Sequence, residues 1–429
     1  DRAAKYPMTT HSAIIAPNPR ARIDGQPHRS YPMLIALYDE QKRRLQVFDM
    51  VRRKCVKVQA MAVPLHFWKW IRHAEGGIAA ETSAGLPFIG IVTPTTIYHW
   101  DIGSLSSSKA QQTRPQKVLS RKPKIDAAEV SDNENEEVLD YAVSVDTHWA
   151  LLITTSSAAR DAAYNTAAPV PVCAVTLWHL PTRKVVFQED GLGATLLRLR
   201  MPDAPTEFST ALVVAGYAGD STDEVQVTAY NLELAPDADP ASAVKSPVSS
   251  FSVRRNDNSR GVMRSDKLWR WDLLPLLNQQ VRSLSDGDGD GAAGMYPHPV
   301  HARVLALADV DAGHLYLVDI LSGAPLCEVS LRDTLISTVE GGQAGSFDDR
   351  EAQIVEMAAQ SGNSTPRPGS EAAPADGASR EHCELALLTR TGKVWRCLVQ
   401  WTGLLEHVEA TLNLGDLAQE IAADFGSGA

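Results

Sequence analysis

A pair of short β-type runs recurs six times along the chain, at intervals of about 50 to 90 residues. In each pair an apolar run is followed by a polar connection and then by an amphipathic run. The six pairs are Met33–Leu37 with Leu45–Met50, Ile89–Val92 with Ile97–Trp100, Leu151–Ile153 with Val175–Trp178, Leu212–Val214 with Val227–Tyr230, Val304–Leu307 with Tyr316–Asp319, and Leu385–Leu388 with Val394–Cys397. Such spacing is typical of a radial repeat, in which each unit buries its faces against its neighbours.

The repeat predicts an all-β fold made of four-stranded propeller blades. Inner strands of a blade are apolar on both faces because neighbouring blades cover them, whereas outer strands alternate. A chain of 429 residues would ordinarily suggest two or three domains, but a repeat fold accommodates that length in one. After the last pair, Leu414–Phe425 is predicted to begin a helix.

Three polar inserts explain the uneven spacing of the pairs. They cover residues 103–137, which end in an acidic run, 284–296, which contain Asp-Gly repeats, and 341–380, which are rich in Gly, Ser, Pro and Ala. Segments of this composition bury too little apolar surface to offset the entropy lost on ordering. We therefore expect mobile loops at all three.

The overall charge and the cysteines restrict the functional class. A net charge of −11 disfavours binding to nucleic acid or to anionic lipid. No run of 18 apolar residues and no charged-then-apolar leader occurs in the sequence. The chain begins with Asp1, which we interpret as a fragment lacking its true start. Five scattered cysteines without a C-x-x-C pair favour free thiols in the reducing cytosol.

No catalytic or metal-binding signature is present. The sequence contains no G-x-S-x-G, no H-E-x-x-H and no phosphate loop. Asp286–Gly291 resembles the opening of a calcium loop, but Pro297 stands where a bidentate Glu is required. Four histidines lie beside Trp or Phe without partners at ligand spacing: His66, His99, His148 and His179. We predict no enzyme activity, no cofactor and no metal.

The segment Lys42–Lys57 is strongly basic in an otherwise acidic chain, with seven Lys and Arg residues against one acid, Asp49. Because side chains alternate along a strand, Arg44, Gln46 and Phe48 share one face, and the two aliphatic residues between them point the other way. A face offering a cation, an amide and an aromatic ring suits an extended peptide with apolar side chains and an acidic end. A solvated basic edge that deters aggregation is the alternative interpretation.

Three motifs in this order and spacing resemble the terminal domain of clathrin heavy chains: Leu45–Asp49 (Leu-Gln-Val-Phe-Asp), Phe67–Ile71 (Phe-Trp-Lys-Trp-Ile) and Ile97–Trp100 (Ile-Tyr-His-Trp). The family pattern is Leu-Gln-Ile-Phe, then Phe-Trp-Lys-Trp-Ile, then Val-Tyr-His-Trp, and the second motif is the most specific. The resemblance covers nearly the whole chain apart from the inserts, through Trp149–Ser156, Leu177–Val186, Leu315–Pro325, Gly392–Val399 and finally Leu412–Ala418.

The resemblance implies a fold with defined boundaries. The family has a seven-bladed β-propeller at the foot of each leg of the coat. In this chain the propeller is expected over residues 1–411, with its first blade incomplete, and the start of a C-terminal α-helical linker over 412–429.

The resemblance also implies a first peptide-binding groove. In the family, a groove between the first two blades binds adaptor peptides of the clathrin-box type, in which leucine and other apolar residues precede an acid. Gln46 and Phe48 match the amide and aromatic positions of that groove, and Arg53 replaces a lysine of the same charge. Arg44 stands where the family has threonine, and Cys55 where it has a second lysine.

A second groove of the family, between blades four and five, binds an apolar-rich adaptor loop. Trp149, Leu177 and Arg183 resemble its wall, and Phe187 takes the place of a glutamine. Packing between blades is the alternative role for each tryptophan, as for those of the Phe-Trp-Lys-Trp-Ile motif.

The central pocket that accepts a Trp-containing motif in the family is matched less well. Leu139 keeps an apolar wall, but Glu137 replaces a glutamine and Thr155 an isoleucine. We predict no site there.

The resemblance implies a non-enzymatic platform for adaptor proteins with clathrin-box-like motifs, in endocytosis and vesicle-mediated transport. Its expected location is cytoplasmic, on the cytosolic face of coated pits and coated vesicles. Membrane association would be indirect, through adaptors, and other heavy chains and light chains would bind through regions absent here. Nucleic acid is not an expected partner.

Three alternatives remain open at the level of sequence. A WD-repeat scaffold would show repeated Gly-His and Trp-Asp punctuation, of which only Trp100-Asp101 and Trp271-Asp272 occur. A propeller enzyme would need charged residues converging on a central channel. A divergent clathrin would bind other motifs in the same grooves.

Overall fold

The structure is a computed structural model that is mostly β, as the sequence predicts. The residues that it describes are 8–9, 22–23, 26–27, 34–49, 53–71, 88–101, 114–121, 137–144, 146–155, 170–171, 173–201, 204–218, 221–234, 238–254, 268–269, 271–276, 303–309, 313–331, 354–362, 382–389 and 391–424.

The six predicted strand pairs are confirmed, and each forms neighbouring strands of a separate antiparallel meander. We call these sheets A to F in chain order. Within the described residues, sheets A to E have four strands each and sheet F has three. A four-stranded antiparallel meander is the unit that forms one blade of a propeller, and sheets A to E are five such meanders in succession.

The chain divides into two compact units, of which the first comprises Asp1–Ser157 and Ala174–Glu189. It holds sheets A and B and nearly all of sheet C. The strands of sheet A are Met8–Thr9, Leu34–Asp39, Arg44–Asp49 and Lys54–Ala60. Those of sheet B are Phe67–Ile71, Phe88–Val92, Thr96–Asp101 and Gln116–Ser120. Those of sheet C are Val138–Val143, Trp149–Thr155, Cys173–His179 and Lys184–Gly191. Arg22–Ile23 also pairs with Gln26–Pro27.

The second unit comprises Ala158–Cys173 and Asp190–Ala429 and holds the other three sheets. The strands of sheet D are Gly193–Met201, Ala204–Ala218, Ser221–Asn231 and Pro247–Arg254. Those of sheet E are Trp271–Pro275, Val304–Asp309, His314–Asp319 and Pro325–Ser330. Those of sheet F are Ile354–Gly362, His382–Thr389 and Val394–Gln400. A short parallel pair joins Val170–Pro171 to Leu268–Trp269, and a 3₁₀ turn covers Pro240–Ser242.

Helical structure begins earlier than predicted. An α-helix covers Trp401–Glu406, a π-helical turn His407–Thr411 and a second α-helix Gly415–Asp424. Residues 401–411, which the prediction assigned to the propeller domain, are helical, and the boundary of that domain stays a prediction. Trp401, Leu404 and Val408 recur at helical spacing, and all three are buried in the core that sheets E and F share.

Two of the three predicted inserts contain a strand. Gln116–Ser120 lies within 103–137 and buries Leu119, while Ile354–Gly362 lies within 341–380 and buries Ile354 and Met357. The loop prediction is wrong at these residues. Each strand is a short segment with a few apolar side chains inside a mostly polar insert, so the composition of the insert as a whole did not indicate it. The rest of both inserts, apart from residues at their edges, and the whole of 284–296 lie outside the described residues.

Within each compact unit, each sheet buries a face against the next one along the chain. Leu45 and Val47 of sheet A pack in one cluster with Trp68 and Trp100 of sheet B. Sheets B and C share a second cluster, and sheets D, E and F are joined by two more in the other unit. Tryptophans 68, 70 and 100 are nearly fully buried, which supports the packing role for the Phe-Trp-Lys-Trp-Ile motif.

Two hairpins are closed by the same four-residue turn, in which Arg43 and Arg183 occupy the last position with a positive φ, at 48° and 55°. In the longer turn of sheet E, Gly323 has a φ of 72° and is followed by Ala324 before the next strand. In sheets A and E the aspartate that ends the preceding strand accepts a hydrogen bond from a turn amide, at 3.0 Å for Lys42 N and 2.8 Å for Ser322 N. Gly323 also leaves no room for a Cβ, which would lie 2.4 Å from Phe251 of sheet D.

A buried arginine joins sheet E to the C-terminal helix. Arg303 Nε donates to Asp319 Oδ1 at 2.6 Å, and Arg303 Nη2 donates to Glu420 Oε2 at 2.6 Å. Both Arg303 and Asp319 are almost completely buried, so each charge depends on the other for its stability. This contact fixes the helix against the turn that ends strand His314–Asp319.

We predict that Gly90→Ala destabilises the first unit, because a Cβ at this position would lie 2.7 Å from Cδ1 and Cε1 of the buried Tyr141 ring. The expected loss in free energy of unfolding is about 1–3 kcal/mol, measured by urea denaturation. Gly216→Ala, in a strand of sheet D with open space around the glycine, is the control and should be neutral or slightly stabilising. Equal losses in the two variants would contradict the packing described here.

Candidate functional site

Strand Arg44–Asp49 shows the alternation predicted for it. Leu45 and Val47 have no exposed surface, Arg44 is exposed, and Gln46 and Phe48 are partly exposed. The three candidate side chains therefore share the more accessible face of the strand. The predicted grouping of Arg44, Gln46 and Phe48 on one face is confirmed.

Neighbouring strands extend this face on both sides. On strand Leu34–Asp39, Ile35 lies opposite Phe48 and Leu37 opposite Gln46. On strand Lys54–Ala60, Cys55 lies opposite Phe48 and Val58, which is 49% exposed, opposite Gln46. We call the surface formed by Ile35, Leu37, Gln46, Phe48, Cys55 and Val58 the open face of sheet A. It is largely apolar and carries one amide near its centre.

The opposite face of sheet A packs on sheet B, so the open face is turned away from that interface. A peptide bound at Phe48 would not lie between sheets A and B. Of residues 1–33 the structure describes only 8–9, 22–23 and 26–27.

The two candidate arginines lie at opposite ends of the strand. Arg44 follows the turn at its start, and Arg53 lies in the hairpin at its end, with a φ of 52°. Four residues of strand separate Arg44 from Phe48, or about 13 Å. Arg53 is the nearer of the two to Phe48, because Phe48 pairs with Cys55 beside the hairpin. An extended ligand would need about four residues to span from Arg44 to Phe48.

Not all of the basic segment contributes to the open face. Lys57 pairs with Val47, which belongs to the covered side of the sheet. Desolvation lowers the pKa of Lys57, and the charge of Asp101 in sheet B partly opposes this shift. Lys57 therefore belongs to the contact between sheets A and B. Arg52, the neighbour of Arg53, lies outside the described residues.

The structure places two residues of the predicted second groove in the core. Trp149 is 2% exposed and Leu177 is 0% exposed. The Trp149 ring packs against His179 at a centroid distance of 4.9 Å. Arg183 is exposed in the turn after strand Cys173–His179, and Phe187 is buried in the next strand. Trp149 and Leu177 thus have packing roles here, and peptide binding by the three residues stays a prediction.

The residues compared with the family's central pocket are cross-strand neighbours at one end of sheet C. Thr155 N donates to the Glu137 carbonyl at 2.9 Å, and Glu137 N donates to Thr155 Oγ1 at 3.1 Å. Glu137 is exposed, whereas Leu139 and Thr155 are partly buried. These bonds close the strand pair.

Within the residues that the structure describes, no group of three or more His, Cys, Asp or Glu side chains has a geometry suited to a metal ion. None of the helices described there has the length and apolar character needed to cross a membrane.

Sequence reasoning missed the apolar members of the open face. Ile35 and Leu37 belong to a run that is apolar at nearly every position, so the sequence does not show which side chains face outward. Cys55 comes opposite Phe48 because the ladder has an irregularity between Val47 and Phe48, which shifts the register by one residue. The alternation in strand Arg44–Asp49 indicated Gln46 and Phe48, and the resemblance indicated both of them together with Cys55.

Comparisons with known proteins leave the family open. No protein-family model matches the chain, and no curated protein sequence matches it. Among solved structures, the chain is similar to the β-propeller domain of Swd1 (Cps50) from Myceliophteria thermophila, at 9% identity and a TM-score of 0.35 over 70% of each chain. It is similar to Hsv2 from Kluyveromyces lactis, at 10% identity and a TM-score of 0.38, over 86% of this chain and 70% of that one.

A third similar structure is BBS1N in complex with ARL6DN, at 8% identity and a TM-score of 0.38, over 91% of this chain and 80% of that one. Structural similarity with TM-scores this low supports no conclusion about this chain. The fold described above rests on its own sheets, and a propeller of seven blades stays a prediction.

We predict that Cys55 is the first cysteine to react with iodoacetamide in the folded protein. It is exposed, whereas Cys173 and Cys383 are buried and Cys327 and Cys397 are half-buried. Desolvation raises the pKa of Cys55 and a backbone hydrogen bond with Lys57 partly offsets this shift, so the alkylation rate should still be rising at pH 9 as the thiolate forms. Peptide mass mapping over time measures the order, Cys55→Ser is the control, and earlier labelling of another cysteine would contradict the assignment.

Proposed function

We propose that this chain is a non-enzymatic docking platform, of the clathrin heavy chain type, that binds short acidic, leucine-bearing peptide motifs on the open face of sheet A. The observation that carries the proposal is the placement of Phe48 and Gln46 on an accessible, largely apolar face, with Arg53 in the hairpin beside Phe48. An aromatic ring, an amide and a cation in this order fit an extended ligand whose apolar residues precede an acid.

Recognition on this face would be passive. Apolar side chains of the ligand would cover Phe48, Leu37 and Val58, the Gln46 amide would bond to the ligand backbone, and the acid would approach Arg53. The contact area of such a short segment is far below a standard interface, so a single site should bind with a Kd on the order of micromolar or weaker. Several motifs on one adaptor would then act through effective concentration.

The sheets fit blades of a single propeller in this proposal. In each of sheets A to E the four strands pair in chain order, and successive sheets within each unit bury faces against each other. We propose seven blades followed by a helical linker that begins at Trp401.

The cellular setting follows from the sequence resemblance. Adaptors with clathrin-box-like motifs would be the partners on the cytosolic face of coated pits and coated vesicles, and they would provide the link to the membrane. Assembly with other heavy chains and light chains would use further regions of such a protein. The platform would carry out no catalysis.

A scaffold with a different peptide preference is the second candidate, and one observation favours it. Cys55 stands where the family has a lysine, and the structure places it directly opposite Phe48 on the open face. An uncharged thiol at this point shifts the positive charge toward the hairpin. A ligand with its acid closer to its end, or with a further apolar residue instead, would fit such a face better.

We predict that a clathrin-box peptide binds the complete protein and that Gln46→Ala combined with Phe48→Ala weakens binding at least fivefold, about 1 kcal/mol. The loss follows from removing the aromatic contact and the amide of the open face. Isothermal titration calorimetry measures the affinity, and peptide binding should also slow alkylation of Cys55.

The matched control combines Gln226→Ala with Val248→Ala on sheet D, where both side chains lie away from the open face. This variant should bind like the wild type, and both variants should unfold at similar urea concentrations. An unchanged affinity in the Gln46 and Phe48 variant would remove the open face from the proposed function. Binding of a peptide without its acid at equal strength would favour the second candidate.

A further inference from the structure

Strand Arg44–Asp49 has positive charge at both of its ends. Arg44 lies at its start and Arg53 lies in the hairpin that follows it, and both side chains are exposed. Among the described residues, neither side chain forms an ion pair or a hydrogen bond. Each guanidinium group is therefore open to an anionic group of a ligand, as guanidinium groups that bind carboxylates and phosphates must be.

The acid nearest to Arg44 in the sheet is already engaged by another residue. Asp39 lies opposite Arg44 and is only 8% exposed. Its Oδ1 accepts a hydrogen bond from Lys42 N at 3.0 Å, and its Oδ2 lies 3.9 Å from Lys42 Nζ. Residues 39–44 together carry three basic side chains and two acidic ones. The local charge around Arg44 is therefore positive.

The surface between the two ends carries no charge at neutral pH. The open face of sheet A is apolar there, apart from the Gln46 amide and the Cys55 thiol. Arg44 lies about 13 Å from Phe48 along the strand, a distance that four residues of an extended ligand span. A ligand that fits this surface has an apolar middle and an anion at each end, whereas nucleic acid requires a continuous row of cations.

The magnitude of the contact indicates which anion Arg44 would select. An exposed ion pair with a carboxylate improves affinity by less than about fivefold, because water and salt screen it. A phosphoryl group carries a charge of nearly −2 and three acceptor oxygens, which match the bidentate geometry of a guanidinium group. The second anion is therefore more effective as a phosphoryl group than as a carboxylate.

We propose that Arg44 is a specificity-determining residue that selects phosphorylated peptides. The phosphoserine or phosphothreonine lies four residues before the apolar side chain that covers Phe48, and the acid of the peptide approaches Arg53. A phosphorylated partner thus docks more tightly on the open face than its unmodified form. This inference rests on the proposed function, because it adds a second anion to the same bound peptide.

The test uses the complete protein and nonapeptides with leucine at positions four and six, aspartate at position eight and fluorescein at the C-terminus. Position two is serine, glutamate or phosphoserine, and all other positions are threonine. Fluorescence anisotropy should show that the phosphoserine peptide binds at least about fivefold more tightly than the serine peptide, and the glutamate peptide about twofold more tightly.

A fourth peptide tests the spacing. Moving the phosphoserine from position two to position three should reduce its gain to less than about twofold, because adjacent side chains of an extended chain point to opposite sides. Net charge and composition are the same in both phosphopeptides. A difference between them therefore reports the position of the phosphoryl group.

Three variants locate the phosphate contact, and the quantity compared is the ratio of the Kd values for the serine and phosphoserine peptides. Arg44→Ala should lower this ratio to less than about twofold, and Arg44→Lys should leave it between those of the wild type and Arg44→Ala. Arg254→Ala removes an exposed strand arginine of sheet D and should keep the full ratio.

The outcomes separate this inference from the proposed function. Binding of the serine peptide that is lost in the Gln46→Ala, Phe48→Ala variant supports the proposed function, whatever the phosphoserine peptide does. A phosphoserine gain of less than twofold in the wild type, or a gain that persists in Arg44→Ala, overturns the inference alone. If no peptide binds up to about 1 mM, both fail.

Discussion

A sheet with two apolar faces is stable in water only when both faces are covered, and this constraint governs the structure. Strands Val304–Asp309 and His314–Asp319 of sheet E are buried at every position, so neighbouring sheets must pack on both sides of them. Within each compact unit the repeated meander satisfies the requirement, because each sheet covers a face of the next one in that unit. No sheet needs a core of its own, which explains how a chain of this length folds with inserts of varied length between the strand pairs.

The same constraint decides how much of the fold the sequence reveals. The inner strands are short, continuous apolar runs, and all six pairs could be located within a few residues. Outer strands such as Lys54–Ala60 and Pro247–Arg254 mix charged, polar and apolar side chains, because one or both of their faces meet water. Their composition resembles that of loops, so they were not recognised. The helix at Trp401 was missed for a related reason: its first turn continues directly from a strand, without a capping side chain to mark the boundary.

The candidate site was predictable where alternation was visible and not elsewhere. Gln46 and Phe48 share a face because two buried aliphatic residues alternate with them, a pattern that the sequence shows directly. The position of Cys55 opposite Phe48 depends on an irregular register, which no local sequence rule specifies. Trp149 and Leu177 show the limit of arguing from a resemblance, since the same residue types serve as a groove wall or as core. Burial in the folded chain gives them a packing role here.

Rigid support is what makes the open face of sheet A suitable for a weak, specific contact. Leu45 and Val47 are locked between sheets A and B, so the backbone that presents Gln46 and Phe48 loses little freedom when a ligand binds. In the proposed function the ligand bears most of the ordering cost, which keeps single-site affinity low.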